Sequence, residues 1–361
     1  MKKLIDKAHH IKIEKTRARK ILRQRHRRLP KRKNKRTSHL LSRRCRFDLT
    51  ITRKVKGGYI VEMPTVCSLQ HNHAALINAC AEIRKFSKCD KRLRAINFDN
   101  ITELEPSAAL LIAAETSHLN DRKGLQYMRP KPDGWEPEIK RLLSQMGFFE
   151  LFGVEAPDDL EYEHRRSFLK FFSGKSVTDT KKTGELRERI EKRFGQTLSP
   201  RQRQALYEGL SEAITNTQGH AYGSAYPVDI DKWWLSAAYD FEKEVLTIMF
   251  VDLGRTIPGT LPKKGWFEKA VHKIGLMGDG EAIKAAMEYS RTRTAQPNRG
   301  KGMSEFLHFP QSVERTKNYL TIYSKKGKYT EVTQEEKTIE RNPESMNIML
   351  KGTLIEWKVS L

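Results

Sequence analysis

The sequence predicts a mixed α/β protein of the two-layer, α+β type, and three observations support this. Strand and helix patterns alternate through residues 47–153. The stretch Ser199-Pro200-Arg201-Gln202 is a capping box with proline at the first helical position, so a long helix is expected from Pro200. Two apolar runs, 233–239 and 245–251, are typical of a buried β-hairpin. A chain of 361 residues is long enough for two domains.

Residues 1–46 form a strongly basic tail. They hold 20 Lys and Arg against only Asp6 and Glu14, so they carry +18 of the chain's formal net charge of +24. Self-repulsion and the lack of an apolar stripe predict an extended or transiently helical segment. Nucleic acid or an acidic protein is the expected partner, and a purely solubilising tail is the alternative. The tail contains no aromatic residue, which argues against base stacking.

Residues 47–153 have the pattern of a small, mostly parallel sheet with helices. The predicted strands are 47–54, 59–63, 93–98 and 125–128, and the predicted helices are 72–86, 108–115 and 136–146. Gly57-Gly58 is the predicted turn of the first hairpin, and Pro106 is expected to begin the second helix.

Residues 154–181 are assigned to a linker and a first strand, and residues 182–361 to a second domain. The helix that begins at Pro200 is expected to end near Gly219. Its predicted buried stripe consists of Leu206, Leu210, Ala213, Ile214 and Thr217. Glu212 and Asn216 fall on a different face, one turn apart, so the carboxylate and the amide can share a metal ion.

Two glycine-bearing loops and a closing Gly-Thr pair follow this helix. The first loop is Asp252-Leu253-Gly254-Arg255-Thr256-Ile257-Pro258 and the second is Arg299-Gly300-Lys301-Gly302-Met303. Gly352-Thr353 precedes a last predicted strand, 354–359. Because glycine lets backbone N–H groups approach a ligand closely, the loops are suited to an adenine and a triphosphate. Together these segments predict a nucleotide site.

This ordered set resembles the GHKL ATP-binding domain, the Bergerat fold. Its N box, Glu-x-x-x-Asn followed by histidine, is matched by Glu212, Asn216 and His220, in a form similar to bacterial anti-sigma serine kinases. The G1 box is matched by Asp252, Gly254, Ile257 and Pro258, the G2 box by Gly300, Gly302 and Met303, and the closing pair by Gly352 and Thr353. Thr256 stands where the G1 box usually has glycine.

The resemblance implies that residues 182–361 bind ATP and Mg²⁺. Glu212 is expected to be a general base and Asn216 a ligand of Mg²⁺. His220 is a second catalytic candidate, and a residue that only caps the helix end is the alternative. Asp252 is expected to accept the exocyclic amine of adenine. The other expected nucleotide contacts are Gly254, Ile257, Arg299, Gly300, Lys301, Gly302, Met303 and Thr353. Residues 255–299 are the expected ATP lid, with room for two helices.

Residues 47–153 resemble a STAS-like domain, the fold of anti-anti-sigma factors, in their order of strand, acidic turn, apolar helix, strand and final helix. In phosphorylatable members a serine at a helix N-terminus accepts phosphate. Ser107 stands at that position in Glu105-Pro106-Ser107-Ala108, although proline and alanine replace its usual neighbours. A serine that serves only helix initiation is the alternative interpretation.

Three functions are compatible with the sequence. The first is an ATP-switched regulator, an ATPase or a protein serine kinase, whose STAS-like domain contacts a protein substrate or regulator. The second is a nucleic-acid-coupled ATPase, similar in its site to type II topoisomerase and mismatch-repair members. The third is a binding module that holds ATP without chemistry, and Glu212 argues against it. A homodimer is the candidate assembly.

Cysteine usage and hydropathy bound the location of the protein. Cys45, Cys67, Cys80 and Cys89 show no zinc-type spacing, which favours a reducing, cytoplasmic environment. No apolar run approaches 18 residues, so no membrane partner is expected.

Overall fold

The computed structural model describes residues 52–89, 92–120, 130, 132–157, 165–175, 181–221, 232–261, 278–293, 302–314 and 317–361. Asp48–Leu361 is a single compact unit, and its mixed α/β class is the predicted one. The basic tail, the predicted strand 125–128 and the loop residues Arg299, Gly300 and Lys301 lie outside the described residues. Within the described part, no helix is both long and apolar enough to cross a lipid bilayer.

In its described part, the N-terminal segment of this unit contains a three-stranded sheet, a two-stranded sheet and three α-helices. Strands β1 and β2 form the predicted antiparallel hairpin, β2 pairs with β4 in parallel, and β3 pairs with β5 in parallel. The strands are Thr52–Val55 (β1), Gly58–Glu62 (β2), Val66–Cys67 (β3), Leu93–Asn97 (β4) and Glu103–Leu104 (β5). The helices are His73–Arg84 (α1), Pro106–Asn120 (α2) and Pro137–Gln145 (α3).

Helix α2 begins at Pro106 as predicted but is longer than the predicted 108–115. Two polar residues in its second half have partners inside the protein. Glu115 forms an ion pair with Arg84 of α1, and the Thr116 hydroxyl donates to the carbonyl oxygen of Ile112 at 2.7 Å.

Burial raises the pKa of the Cys67 and Cys80 thiols to about 12, so both cysteines act as neutral packing residues.

The C-terminal segment is organised by a six-stranded antiparallel sheet. The strand order is β10, β11, β9, β8, β6, with β7 also paired to β8. The strands are Arg166–Phe168 (β6), Phe172–Gly174 (β7), Trp233–Asp240 (β8), Val245–Asp252 (β9), Asn318–Gln334 (β10) and Lys337–Ser360 (β11). The helices are Lys181–Phe194 (α4), Pro200–Asn216 (α5), Ile257–Thr260 (α6), Asp279–Arg293 (α7) and His308–Gln311 (α8). The predicted hairpin therefore forms as β8 and β9.

Each face of this sheet packs on a different hydrophobic core. Leu246, Ile248 and Phe250 of β9 belong to the core that α4, α5 and α7 complete. The intervening Met249 and Val251 belong to the core of the N-terminal segment, where α2 packs on β8 and β9. The sheet of the second predicted domain therefore also contributes side chains to the core of the first.

The outer part of the β10–β11 hairpin extends beyond the sheet. β9 pairs with β11 only over residues 353–360, whereas β10 and β11 remain paired out to Gln334 and Lys337. This hairpin arm, residues 325–350, contacts α7 and α1, and it inserts Met346 and Leu350 into the N-terminal core. The sequence predicted only the final strand, 354–359, of this element.

Candidate functional site

Helix α5 begins and packs as its sequence predicts. The Ser199 hydroxyl accepts from the backbone N–H of Gln202 at 3.2 Å, and the Gln202 side chain accepts from the backbone N–H of Ser199 at 2.8 Å. All five residues of the predicted stripe are buried: Leu206, Leu210, Ala213, Ile214 and Thr217. The α-helix ends at Asn216, and a π-turn, Thr217–Ala221, prolongs it past Gly219.

Glu212 and Asn216 lie on the half-buried face of α5 and contact each other. The Asn216 side-chain nitrogen Nδ2 donates to Glu212 Oε1 at 2.8 Å. This bond uses the amide nitrogen and leaves the amide oxygen of Asn216 for a cation. His220 lies in the π-turn that follows, and its side chain is outside the described residues.

Asp252 is the last residue of β9, and its side chain is only 5% exposed. Across the ladders it lies directly opposite Trp233 of β8 and Thr353 of β11. Its Oδ1 accepts from the backbone N–H of Gly254 at 2.8 Å. Burial raises the pKa of this carboxyl to about 7, although backbone hydrogen bonds from Gly254 and Thr353 act in the opposite direction. An additional hydrogen-bond donor at this carboxyl would stabilise its charged form.

The loop after Asp252 is held by side-chain hydroxyls. The backbone N–H of Ile257 donates to Ser324 Oγ at 2.9 Å, and Ser324 Oγ lies 2.9 Å from Thr353 Oγ1. Thr256 is the N-cap of α6, where its hydroxyl accepts from the backbone N–H of Gly259 at 3.2 Å. Thr256 has φ −80° and ψ 154°, a conformation open to any residue. The departure from glycine at this position therefore introduces no strain.

Hydrogen bonds also join the loop to the end of α5, and β10 to the start of α7. The backbone N–H of Arg255 donates to the carbonyl oxygen of Ala221 at 3.2 Å, which ties the π-turn to the Asp252 loop. At the start of α7, Asp279 accepts from Lys325 Nζ at 2.9 Å and from the backbone N–H of Lys326 at 3.2 Å. Helices α6 and α7 both lie in the predicted lid, 255–299, whose residues 262–277 and 294–299 are not described.

Gly302 and Met303 lie in a short helix that packs against α5. Gly302 has φ +74° and begins a 3-10 helix, Gly302–Leu307, that packs against α5. The contact is close at Gly209, where an added Cβ would lie 3.4 Å from the carbonyl oxygen of Glu305. Met303 is partly buried against the core beneath the helices.

Among the described residues, the structure groups six of the predicted positions in two places, and Gly302 and Met303 lie apart from them in the 3-10 helix. Asp252, Gly254, Ile257 and Thr353 share one hydrogen-bonded loop and strand edge, and Glu212 and Asn216 share one helix face. The sequence missed Ser324, which joins Ile257 to Thr353. Ser324 is identified by its position opposite Thr353 in the β10–β11 register, and that register is known only from the structure.

Within the residues that the structure covers, no group of three or more His, Cys, Asp or Glu side chains comes together around a metal ion. A cation at Asn216 would therefore need ligands from phosphates and water, as Mg²⁺ commonly has. A scan against models of known protein families finds no match for the chain. A search of curated proteins likewise finds no relative.

Gly352 precedes Thr353 and has φ +80°, and an added Cβ would lie 2.0 Å from the carbonyl oxygen of Asp252. Gly352→Ala should therefore lower the free energy of unfolding by about 3–5 kcal/mol, from left-handed strain and overpacking together. Gly153→Ala is the matched control, because Gly153 has φ +64° but open space around it. That variant should lose only about 1–2 kcal/mol. Equal losses in denaturant titrations of the two variants would contradict the close approach.

Proposed function

We propose that residues 182–361 are a GHKL-type ATP-binding domain and that residues 47–153 are a STAS-like domain. The protein is then an Mg²⁺-dependent ATP-binding protein, an ATPase or a protein serine kinase, that acts as an ATP-switched regulator. The observation that carries this proposal is the buried Asp252 carboxyl at the end of β9, beside Thr353 and joined through its loop to the end of α5.

Asp252 fits the adenine of ATP because of its surroundings. Burial disfavours its charged form, and two backbone N–H groups compensate for that burial only in part. A donor such as the exocyclic amine of adenine adds a hydrogen bond to the charged form, which is worth most where water is excluded. Guanine presents a carbonyl oxygen at the corresponding place and would repel the carboxylate. The site therefore favours ATP over GTP.

The polar pair on α5 fits the other end of the nucleotide. When bound, ATP supplies a transferable phosphoryl group and Mg²⁺ supplies positive charge against its phosphates. Asn216 offers an amide oxygen to the cation. Glu212 is held by the Asn216 amide and would accept a proton from water in hydrolysis, or from a serine hydroxyl in protein phosphorylation. The retained carboxylate favours an enzyme over a binding module.

The regulatory part of the proposal rests on strand β11. Thr353 is on the same face of β11 as Ile355, which packs in the core with α4, α5 and α7. Glu356 is on the opposite face and accepts a hydrogen bond from Ser107 of the N-terminal segment. Lys358 pairs with Glu356 on the same face at 2.9 Å. A shift of β11 on nucleotide binding would therefore act directly on the N-terminus of α2.

The same contact argues against Ser107 as the phosphoacceptor. Ser107 is only 1% exposed, and its hydroxyl is already bonded to Glu356. A kinase could not reach this hydroxyl while α2 is docked on the sheet. The burial favours the structural interpretation of Ser107, and a serine kinase activity would then act on another protein.

ATP affinity is expected to depend on pH. With a pKa of about 7, the Asp252 carboxyl is mostly protonated at pH 6, and it must lose this proton before it can accept a hydrogen bond from the adenine amine. ATP affinity measured by calorimetry with saturating Mg²⁺ should therefore fall about tenfold from pH 8 to pH 6. The matched control is Asp252→Asn, which should bind about ten- to hundredfold more weakly at pH 8 and lose this part of the pH dependence. Equal affinity of the parent protein for ATP and GTP would contradict the adenine assignment.

A further prediction concerns Glu212. Glu212→Gln keeps the size of the side chain and an acceptor for Asn216 but removes the base. Phosphate release or protein labelling from ATP should fall by ~10²–10⁴, while ATP affinity changes by no more than a few-fold. Glu208→Ala, one turn earlier on α5, is the control and should keep its turnover. Unchanged turnover in Glu212→Gln would remove this residue from the mechanism.

A nucleic-acid-coupled ATPase is the second candidate, and the charge of residues 1–46 favours it. Binding through phosphates should weaken steeply with salt, with a slope of about 0.9 per phosphate contact on duplex DNA, and should vary little with sequence. Deletion of residues 1–46 should abolish this binding and leave ATP affinity intact. Salt-insensitive binding, or full binding by the truncated chain, would favour an acidic protein as the partner.

A further inference from the structure

A cleft of about 330 Å³ lies between α4 and the first two turns of α5. Its walls are formed by Gly184, Arg187, Pro200, Arg203, Gln204, Leu206 and Tyr207. The distance along α5 from Arg203 to Asn216 is about 20 Å, since each residue rises about 1.5 Å. The cleft is therefore separate from the candidate nucleotide site. Its volume is at the lower end of the range for small-molecule sites, about 300–1,000 Å³.

The charge of the cleft is positive and is only weakly neutralised. Two arginines line it, and no carboxylate is among the lining residues. The Arg187 Nε atom is buried and makes no hydrogen bond within the described residues, and its Nη2 lies 3.7 Å from Glu188 Oε1. Arg203 forms no ion pair with any residue that the structure describes. By contrast, the adjacent Arg201 is paired with Glu336 at 2.5 Å.

The remaining walls provide an aromatic surface and space. Tyr207 is 48% exposed, so a large part of its surface is open to a ligand. Pro200 and Leu206 add apolar surface beside it. Gly184 contributes no side chain, and an added Cβ there would meet nothing within 4 Å, so this wall is open. Gln204 is turned toward Glu208, to which it donates a hydrogen bond at 2.9 Å.

We propose that this cleft binds a nucleoside monophosphate group, a ligand beyond the proposed ATP site. The phosphate would lie against Arg187 and Arg203, and the base would stack on Tyr207. Two guanidinium groups match a phosphate monoester, which carries a charge of about −1.5 to −2 near neutral pH, better than they match a single carboxylate. An exposed tyrosine ring is the kind of surface on which nucleobases stack without sequence preference.

The test uses the full chain and uridine monophosphate as the probe. Uracil lacks the exocyclic amine that Asp252 would accept, so the probe distinguishes the cleft from the candidate ATP site. Calorimetry or NMR titration should show saturable binding. Arg187→Ala and Arg203→Ala should each weaken it at least tenfold, because each removes a charge-assisted contact. Tyr207→Ala should weaken it about tenfold, and Tyr207→Phe should change it little.

Lys192→Ala, which removes one positive charge from the exposed end of α4, is the matched control and should bind normally. A 5′-phosphorylated uridine trinucleotide separates two sources of the same group. If the trinucleotide binds more tightly than uridine monophosphate, and this binding is lost in Arg203→Ala, the natural ligand is the 5′ end of a strand. If the two bind equally, the natural ligand is a free nucleotide. Either result supports the proposal.

Three results would overturn the proposal. These are the absence of saturable binding at millimolar uridine monophosphate, binding that survives both arginine substitutions, and binding of inorganic phosphate as tight as that of the nucleotide. Asp252→Asn should keep its affinity for uridine monophosphate, and Arg203→Ala should keep its affinity for ATP. The failure of either site is thereby distinguishable from the failure of the other, and retained ATP binding shows that the cleft variant is folded.

Discussion

The burial of the six-stranded sheet on both faces is the constraint on which the rest of the structure depends. A strand between two cores has no solvent side, so polar residues are tolerated only where a partner is provided or where the strand ends. β9 is apolar at nearly every position for this reason, and its first strongly polar residue after the core is Asp252. The same two-sided packing joins α4, α5 and α7 to the N-terminal segment through single strands.

The environment of Asp252 shows how a site can be built at the edge of such a core. Two backbone N–H groups, from Gly254 and Thr353, compensate part of the cost of burial, but the pKa of the carboxyl stays raised. Local departures from good packing rules are expected at functional positions.

The sequence predicted those features that depend on neighbouring residues. The capping box at Ser199, the hairpin of β8 and β9 and the start of α2 at Pro106 are all local, and each forms as predicted. The contact between Ser107 and Glu356 could not be predicted. The apolar pattern of α2 indicates that the helix is buried, but it does not indicate which part of the protein covers it. The hairpin arm was also missed. Its outer strands are largely polar and alternate poorly, because they pack on α7 and α1 and not on the main sheet.

The sequence placed Asp252 and Thr353 in one predicted site, but it gave no sign of the residues that hold them in place. Asp252 and Thr353 are found in one row of the sheet, as two separate motifs suggested. Ser324 carries no motif, yet it accepts from the backbone of Ile257 and contacts the Thr353 hydroxyl. Thr256 departs from the expected glycine because here it serves as a helix cap.

Consecutive residues of β10 hold the starts of two helices that are far apart in the sequence. Ser324 accepts a hydrogen bond from Ile257, the first residue of α6, and Lys325 binds Asp279, the first residue of α7. The loop after Asp252 and the start of α7 are thereby fixed to neighbouring positions of one strand. A displacement of β10 at this point would therefore move both of them together.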